Sequence, residues 1–179
     1  TVSNALMAAG GTASIGSLRK VELRRTGEKP LQIDFYDLLL KGDKTGDERL
    51  RNGDVVFVPV TGAVAGVSGN VKRPAIYEMK GLTSLFDALD LAGGVVPTAY
   101  TQQVQVERIE NNKKRVIIDI NAGDADKARS FMLKDGDFVK VLPINGKETN
   151  AVYLYGNVKR PGKYELKPGM KLSDILTCF

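Results

Sequence analysis

Twice in this sequence two cations stand side by side before a proline: Lys72-Arg73-Pro74 and Lys159-Arg160-Pro161. Each pair is followed, four residues after its arginine, by a tyrosine, Tyr77 and Tyr164. An ammonium beside a planar guanidinium could face an acidic polysaccharide or a phosphate. A tyrosine could stack its flat apolar face on a sugar ring and use its hydroxyl as well. Lys72, Arg73, Tyr77, Lys159, Arg160 and Tyr164 are therefore the candidate contact residues. The competing reading makes the cations a solvated turn and the tyrosines core residues of the next strand, with the hydroxyl at the edge.

The other reactive residue types narrow the chemistry. Histidine is absent, which removes Ser-His-Asp and Cys-His nucleophiles and every histidine-containing metal site. Cys178 is the one cysteine, so no internal disulfide can form. It reads as an unpaired core residue. Asp54 and Asp137 each follow a glycine on equivalent turns, have no acid partner, and read as turn formers. Asp124 and Asp126 run on into Lys127 without the later glutamate of a calcium loop, and read as a helix cap. Gly10-Gly11 and Gly93-Gly94 follow helical patterns, whereas phosphate-cradling loops precede helices, so they read as helix ends. No set of acid, base and nucleophile emerges, and the chain is expected to be no enzyme, without cofactor or metal. A formal charge of +5 favours anionic partners. A basic nucleic-acid-binding module is the alternative function class, but the sequence lacks a basic stripe and a run of aromatics for base stacking. Nucleic acid is therefore not the expected partner.

The elements that hold these residues recur. The hexamer Gly69-Asn70-Val71-Lys72-Arg73-Pro74 returns unchanged at Gly156 to Pro161, 87 residues later. Each copy has an apolar run before it and an alternating Tyr-Glu segment after it, so each is a corner between two strands. Proline, with no amide hydrogen for a ladder, belongs at the turn or the first strand position. Leu85 to Gly94 reads as a helix ending in Ala-Gly-Gly, and the chain's opening residues, Thr1 to Gly11, repeat that pattern 83 residues earlier. The Asn-Gly-Asp strand after Gly53 and the Asp-Gly-Asp strand after Gly136 give the same spacing of 83. Strands are expected at 17–25, 31–35, 103–109 and 114–120, and short helices at 37–41 and 124–132. The inventory is the rear part of a first repeat (1–60), a complete repeat (61–145) and the front part of a third (146–179). A helix on a mixed sheet in a unit of this size is an α+β roll of the β-grasp kind. With 42% hydrophobic residues the chain can build a packed core. No apolar run reaches the roughly 18–20 residues that span a bilayer. Opening at Thr1 without a leader, the chain is expected to be a piece of a longer protein.

Val67 to Tyr77 reads Val-x-Gly-x-Val-x-x-Pro-x-x-Tyr, and Tyr153 to Tyr164 nearly repeats it. Together with the Asp-Ala-Leu and Ala-Gly-Gly of 85–94 and the Gly-Asp strands, this resembles the SLBB (soluble ligand-binding β-grasp) domains of bacterial outer-membrane polysaccharide export proteins, the Wza and KpsD group. The resemblance covers almost the whole chain. It implies tandem β-grasp-like SLBB repeats, one complete and two partial, in a homo-oligomeric ring in the periplasm, associated with the outer membrane, through which capsule or exopolysaccharide leaves the cell. It also implies an inner-membrane polysaccharide co-polymerase as partner. The module's expected work is oligomer assembly and weak contact with a passing anionic polysaccharide, since a polymer held tightly cannot move on. The family's export domain and its pore-forming terminal helix are not visible in these residues.

Overall fold

The structure is a computed structural model that describes residues 1–146 and 149–177. Cys178 lies outside the described residues. The chain forms two compact units, Thr1–Ile144 and Asn145–Phe179.

The first unit contains the complete repeat. It runs β4 (Val64–Gly69), β5 (Ala75–Glu78), α3 (Leu85–Leu91), β6 (Ala99–Glu110), β7 (Lys114–Ile120), α4 (Ala125–Ser130) and β8 (Phe138–Pro143). Its five strands lie in the order β5-β4-β8-β6-β7. β4 and β8 pair in parallel, Val67 opposite Val139, and every other pairing is antiparallel. The β6–β7 hairpin turns through Asn111 and Asn112, both at positive φ, with the Lys113 amide donating back to the Glu110 carbonyl at 3.0 Å. α3 starts at a capping box: the Ser84 hydroxyl accepts from the Asp87 amide while the Asp87 carboxylate accepts from the Ser84 amide. Leu85, Ala88 and Leu89, at helical spacing, face Val67, Val71, Tyr77, Met79, Val104, Val106, Val139 and Val141 in one core.

Ahead of it stand α1 (Val2–Ala8), β1 (Val21–Arg24), β2 (Leu31–Ile33), α2 (Phe35–Lys41) and β3 (Val55–Phe57), the same order as α3 to β8. The equivalence extends to individual residues. Leu23 faces Val56 as Val106 faces Val139, and Glu22 faces Phe57 as Gln105 faces Lys140. Gly11 donates to the Leu6 carbonyl as Gly94 does to that of Leu89, both at 2.8 Å. Val2, Val21, Leu23, Ile33 and Phe35 form this segment's own core.

Several element ends differ from the sequence expectation. The first strand begins at Val21 rather than Ser17, because the Ser17 hydroxyl accepts from the amides of Arg19 and Lys20 and bends the chain there. The short helices are Phe35–Lys41 and Ala125–Ser130, each started by an aspartate cap, Asp34 or Asp124.

The second unit holds β9 (Ala151–Leu154), β10 (Gly162–Glu165) and α5 (Leu172–Thr177). Tyr153 faces Lys163 as Gly66 faces Ile76, so the β9–β10 register copies that of β4–β5. α5 opens with the Lys171 amide donating to Asp174 at 2.8 Å, as Ser84 donates to Asp87.

Candidate functional site

The hexamer is the corner between β4 and β5, and it is tied down from several sides. Gly69 has φ 83°, and a Cβ there would lie 2.1 Å from the Val141 carbonyl oxygen, so only glycine fits between β4 and β8. The Asn70 amide donates to that same carbonyl at 2.9 Å. The amides of Lys72 and Arg73 donate to the carbonyls of Gly94 and Ala92, and an Arg73 Nη2–H donates to that of Leu91. A cation at a helix C-terminus satisfies otherwise orphaned carbonyls.

Tyr77 is 6% exposed and donates its hydroxyl to the Arg73 carbonyl at 2.5 Å. Burial pushes its phenol above the ordinary tyrosine value. The ring is part of the core beneath the corner, and the exposed chemistry is that of Lys72 and Arg73. The second corner has the same shape: Val158 donates back to Gly156, as Val71 does to Gly69, and the Tyr164 hydroxyl donates to the Arg160 carbonyl at 2.6 Å. Lys159 and Arg160 are exposed, while Tyr164 is half-buried. Lys72, Arg73 and Tyr77 thus share one corner, and Lys159, Arg160 and Tyr164 another.

Asp54 and Asp137 shape their turns, accepting from the amides of Arg51 and Lys134, both at 2.8 Å. Each also has an arginine partner that the sequence reading did not name. Arg108 grips Asp137 through two bonds, 2.9 and 2.6 Å, and gives a further N–H to the Met132 carbonyl. Arg25 shares its Nε–H between both oxygens of Asp54, at 3.1 and 3.2 Å, and gives an Nη2–H to the Arg49 carbonyl. The Arg51 amide, with the Arg25 guanidinium after it, holds the Asp54 carboxyl below the ordinary aspartate value against the opposing effect of burial. Asp124 caps α4, accepting from the amides of Asp126 and Lys127. These carboxylates are structural acceptors. Among the described residues no group of three histidine, cysteine, aspartate or glutamate side chains could hold a metal.

The glutamate of the recurring Tyr-Glu pair has a different task. Glu78 is 5% exposed and reaches out of the complete repeat toward the segment before it. Its carboxylate accepts from the Ser17 hydroxyl at 2.8 Å and from the amides of Leu18, Arg19 and Gly62. Its own amide donates to the Tyr36 hydroxyl, and its carbonyl accepts from Arg19 Nε at 2.6 Å. Burial alone would raise this carboxyl. The amides of Gly62, Arg19 and Leu18 and the Ser17 hydroxyl outweigh burial and hold it below the ordinary glutamate value. Glu78, through its side chain and its backbone together, is thus a central part of the seat of the complete repeat on its predecessor.

The repeated corner and the tyrosine that follows it lie within what the comparison with known families matches. A family model for the SLBB domain fits residues 58–119 and again 151–177, and each stretch carries one corner. Both stretches belong to the SLBB domain family. The SLBB assignment points to a ligand-binding domain with an α+β fold. No helix of the described residues is long and apolar enough to cross a membrane.

Proposed function

We propose that this SLBB chain is part of a capsule or exopolysaccharide export protein, where it packs on copies of itself and lines or touches the polysaccharide conduit. The observation that carries the reading is the SLBB match over both corner-bearing stretches. On this reading the protein works in the periplasm, associated with the outer membrane, alongside an inner-membrane polysaccharide co-polymerase. On this reading it does no bond-making, which the structural hydrogen bonds of Asp54, Asp137 and Glu78 support.

Two surface features support the two halves of the reading. The sheet face turned away from α3 carries Ile76, Phe138 and Ile117 in one cross-strand row through Gly66 and Glu107, all three large side chains exposed. Such a row suits packing against a second copy. The exposed Lys72, Arg73, Lys159 and Arg160 offer cations to an acidic polymer without an exposed aromatic clamp from Tyr77. Contacts of that kind are weak and screened by salt. Titration with acidic capsular oligosaccharide and with single-stranded DNA, each at two salt concentrations, tests this. Weak saccharide binding that fades with salt is expected; tight, strongly salt-dependent DNA binding would overturn it in favour of a nucleic-acid module.

A further inference from the structure

Where the complete repeat sits on its predecessor, a cleft of about 250 Å³ opens beside the Glu78 contact. One wall is Arg19, Lys20, Gln32 and Asp34 of the leading segment; the other is Met79, Lys80 and Gly81 of the complete repeat. Neither segment makes it alone. Arg19 is held rigidly at the floor: its Nε bonds the Glu78 carbonyl, its Nη1 bonds Asp34 at 3.1 Å, and its guanidinium lies 3.8 Å above the Tyr36 ring. Asp34, the only acid in the wall, is already answered by Arg19, by Lys80 at 3.1 Å and by the Tyr36 amide. Lys20 has no carboxylate partner among the described residues. Three cations against Asp34 in the wall and the Glu78 carboxylate beside it leave the cleft with a net positive charge of one, with a fixed guanidinium as its base.

We propose that this cleft binds one carboxylate-bearing sugar residue of an anionic polysaccharide. The proposal rests on the export reading and adds to it where the polymer is touched. The cleft is smaller than the roughly 300–1,000 Å³ of sites that enclose drug-sized ligands, which fits a single sugar and not a length of chain. Lys20 and Lys80, both exposed, take the sugar carboxylate over the Arg19 floor, Gln32 takes a hydroxyl, and Met79 meets the C–H face. The feature belongs to this junction: 83 residues after Arg19 and Lys20 the sequence has Gln102 and Gln103.

The test is titration of the full chain with oligogalacturonate at low salt, followed by amide chemical shifts, with maltotetraose as the neutral control and inorganic phosphate as competitor. Shifts should centre on 18–20, 32 and 79–81, and maltotetraose should produce none. The exposed substitutions Lys20→Gln and Lys80→Gln together should weaken binding about tenfold or more, the loss of two charge-assisted contacts, while Lys72→Gln with Lys159→Gln should change it less than about twofold. Binding that survives the cleft pair but is lost with the corner pair would overturn the cleft and leave the export reading standing. Phosphate that competes as strongly as the uronate, mole for mole, would overturn the sugar as ligand. No oligogalacturonate binding by the unaltered chain would overturn the cleft and the polysaccharide contact together.

Discussion

Asp137 is held by a guanidinium that is itself nearly sealed from water, with side-chain exposures of 0% and 10% for the two partners. Removing one of two such charges strands the other, which costs about 3–5 kcal/mol, whereas replacing both with apolar groups often costs little. Asp137→Ala should therefore shift urea unfolding by about that amount, and Arg108→Leu with Asp137→Leu should recover most of it. Asp54→Ala should destabilise the leading segment in the same direction. The aspartates were legible as turn formers because Gly-Asp is a local signal. Their arginines were not read, although a trace exists. Val104, Val106 and Arg108 all point inward along β6, and Val21, Leu23 and Arg25 alternate in the same way 83 residues earlier. A charge at an inward position, repeated at the period, marks a buried partner that propensity does not reveal.

Between elements, the closest fit is β4 against β8. A Cβ on Gly66 would lie 2.5 Å from the Phe138 ring, so Gly66→Ala should cost about 1–3 kcal/mol by overpacking. In a Phe138→Ala background most of that cost should vanish, and a double-mutant cycle on thermal or urea unfolding measures the coupling. Ser84→Ala, which removes one side of the capping box, should cost about 1 kcal/mol in the same assay. The glycine-pair ends of α1 and α3, the hairpin around Asn111-Asn112 and the two corners could be read from the sequence, because each is set by residues a few positions apart. The parallel pairing of β4 with β8 could not, since nothing local to either strand names a partner so distant. The cleft was hidden for the same reason: Lys20 and Lys80 meet only after two segments dock. From sequence alone the tyrosines fit either a sugar platform or a core position. Tyr77 lies in the core because alternation from Ile76, which faces solvent, turns the next side chain inward.

For the molecule as a whole, the seat between leading segment and complete repeat includes one buried, ionised carboxylate. Glu78 has its proton affinity lowered in the folded state, so its contribution is fully present above the unfolded value and is lost as pH falls through the folded one. Stability measured from neutral pH downward should therefore decline on the acid side, and Glu78→Gln should flatten that decline while lowering stability at neutral pH. An unchanged acid limb in Glu78→Gln would show that the seat draws its strength elsewhere. The parallel β4–β8 ladder adds a matter of timing. During synthesis Gly66 leaves the ribosome long before Phe138 to Val141, the strand that will flank it, and so distant a pairing is slow to form. Meanwhile Ser17, Leu18 and Arg19 are already made when Glu78 emerges. The unfinished half of a module can thus be moored to its finished neighbour first and zipped shut last, so the row of modules grows in one direction, from amino to carboxyl end.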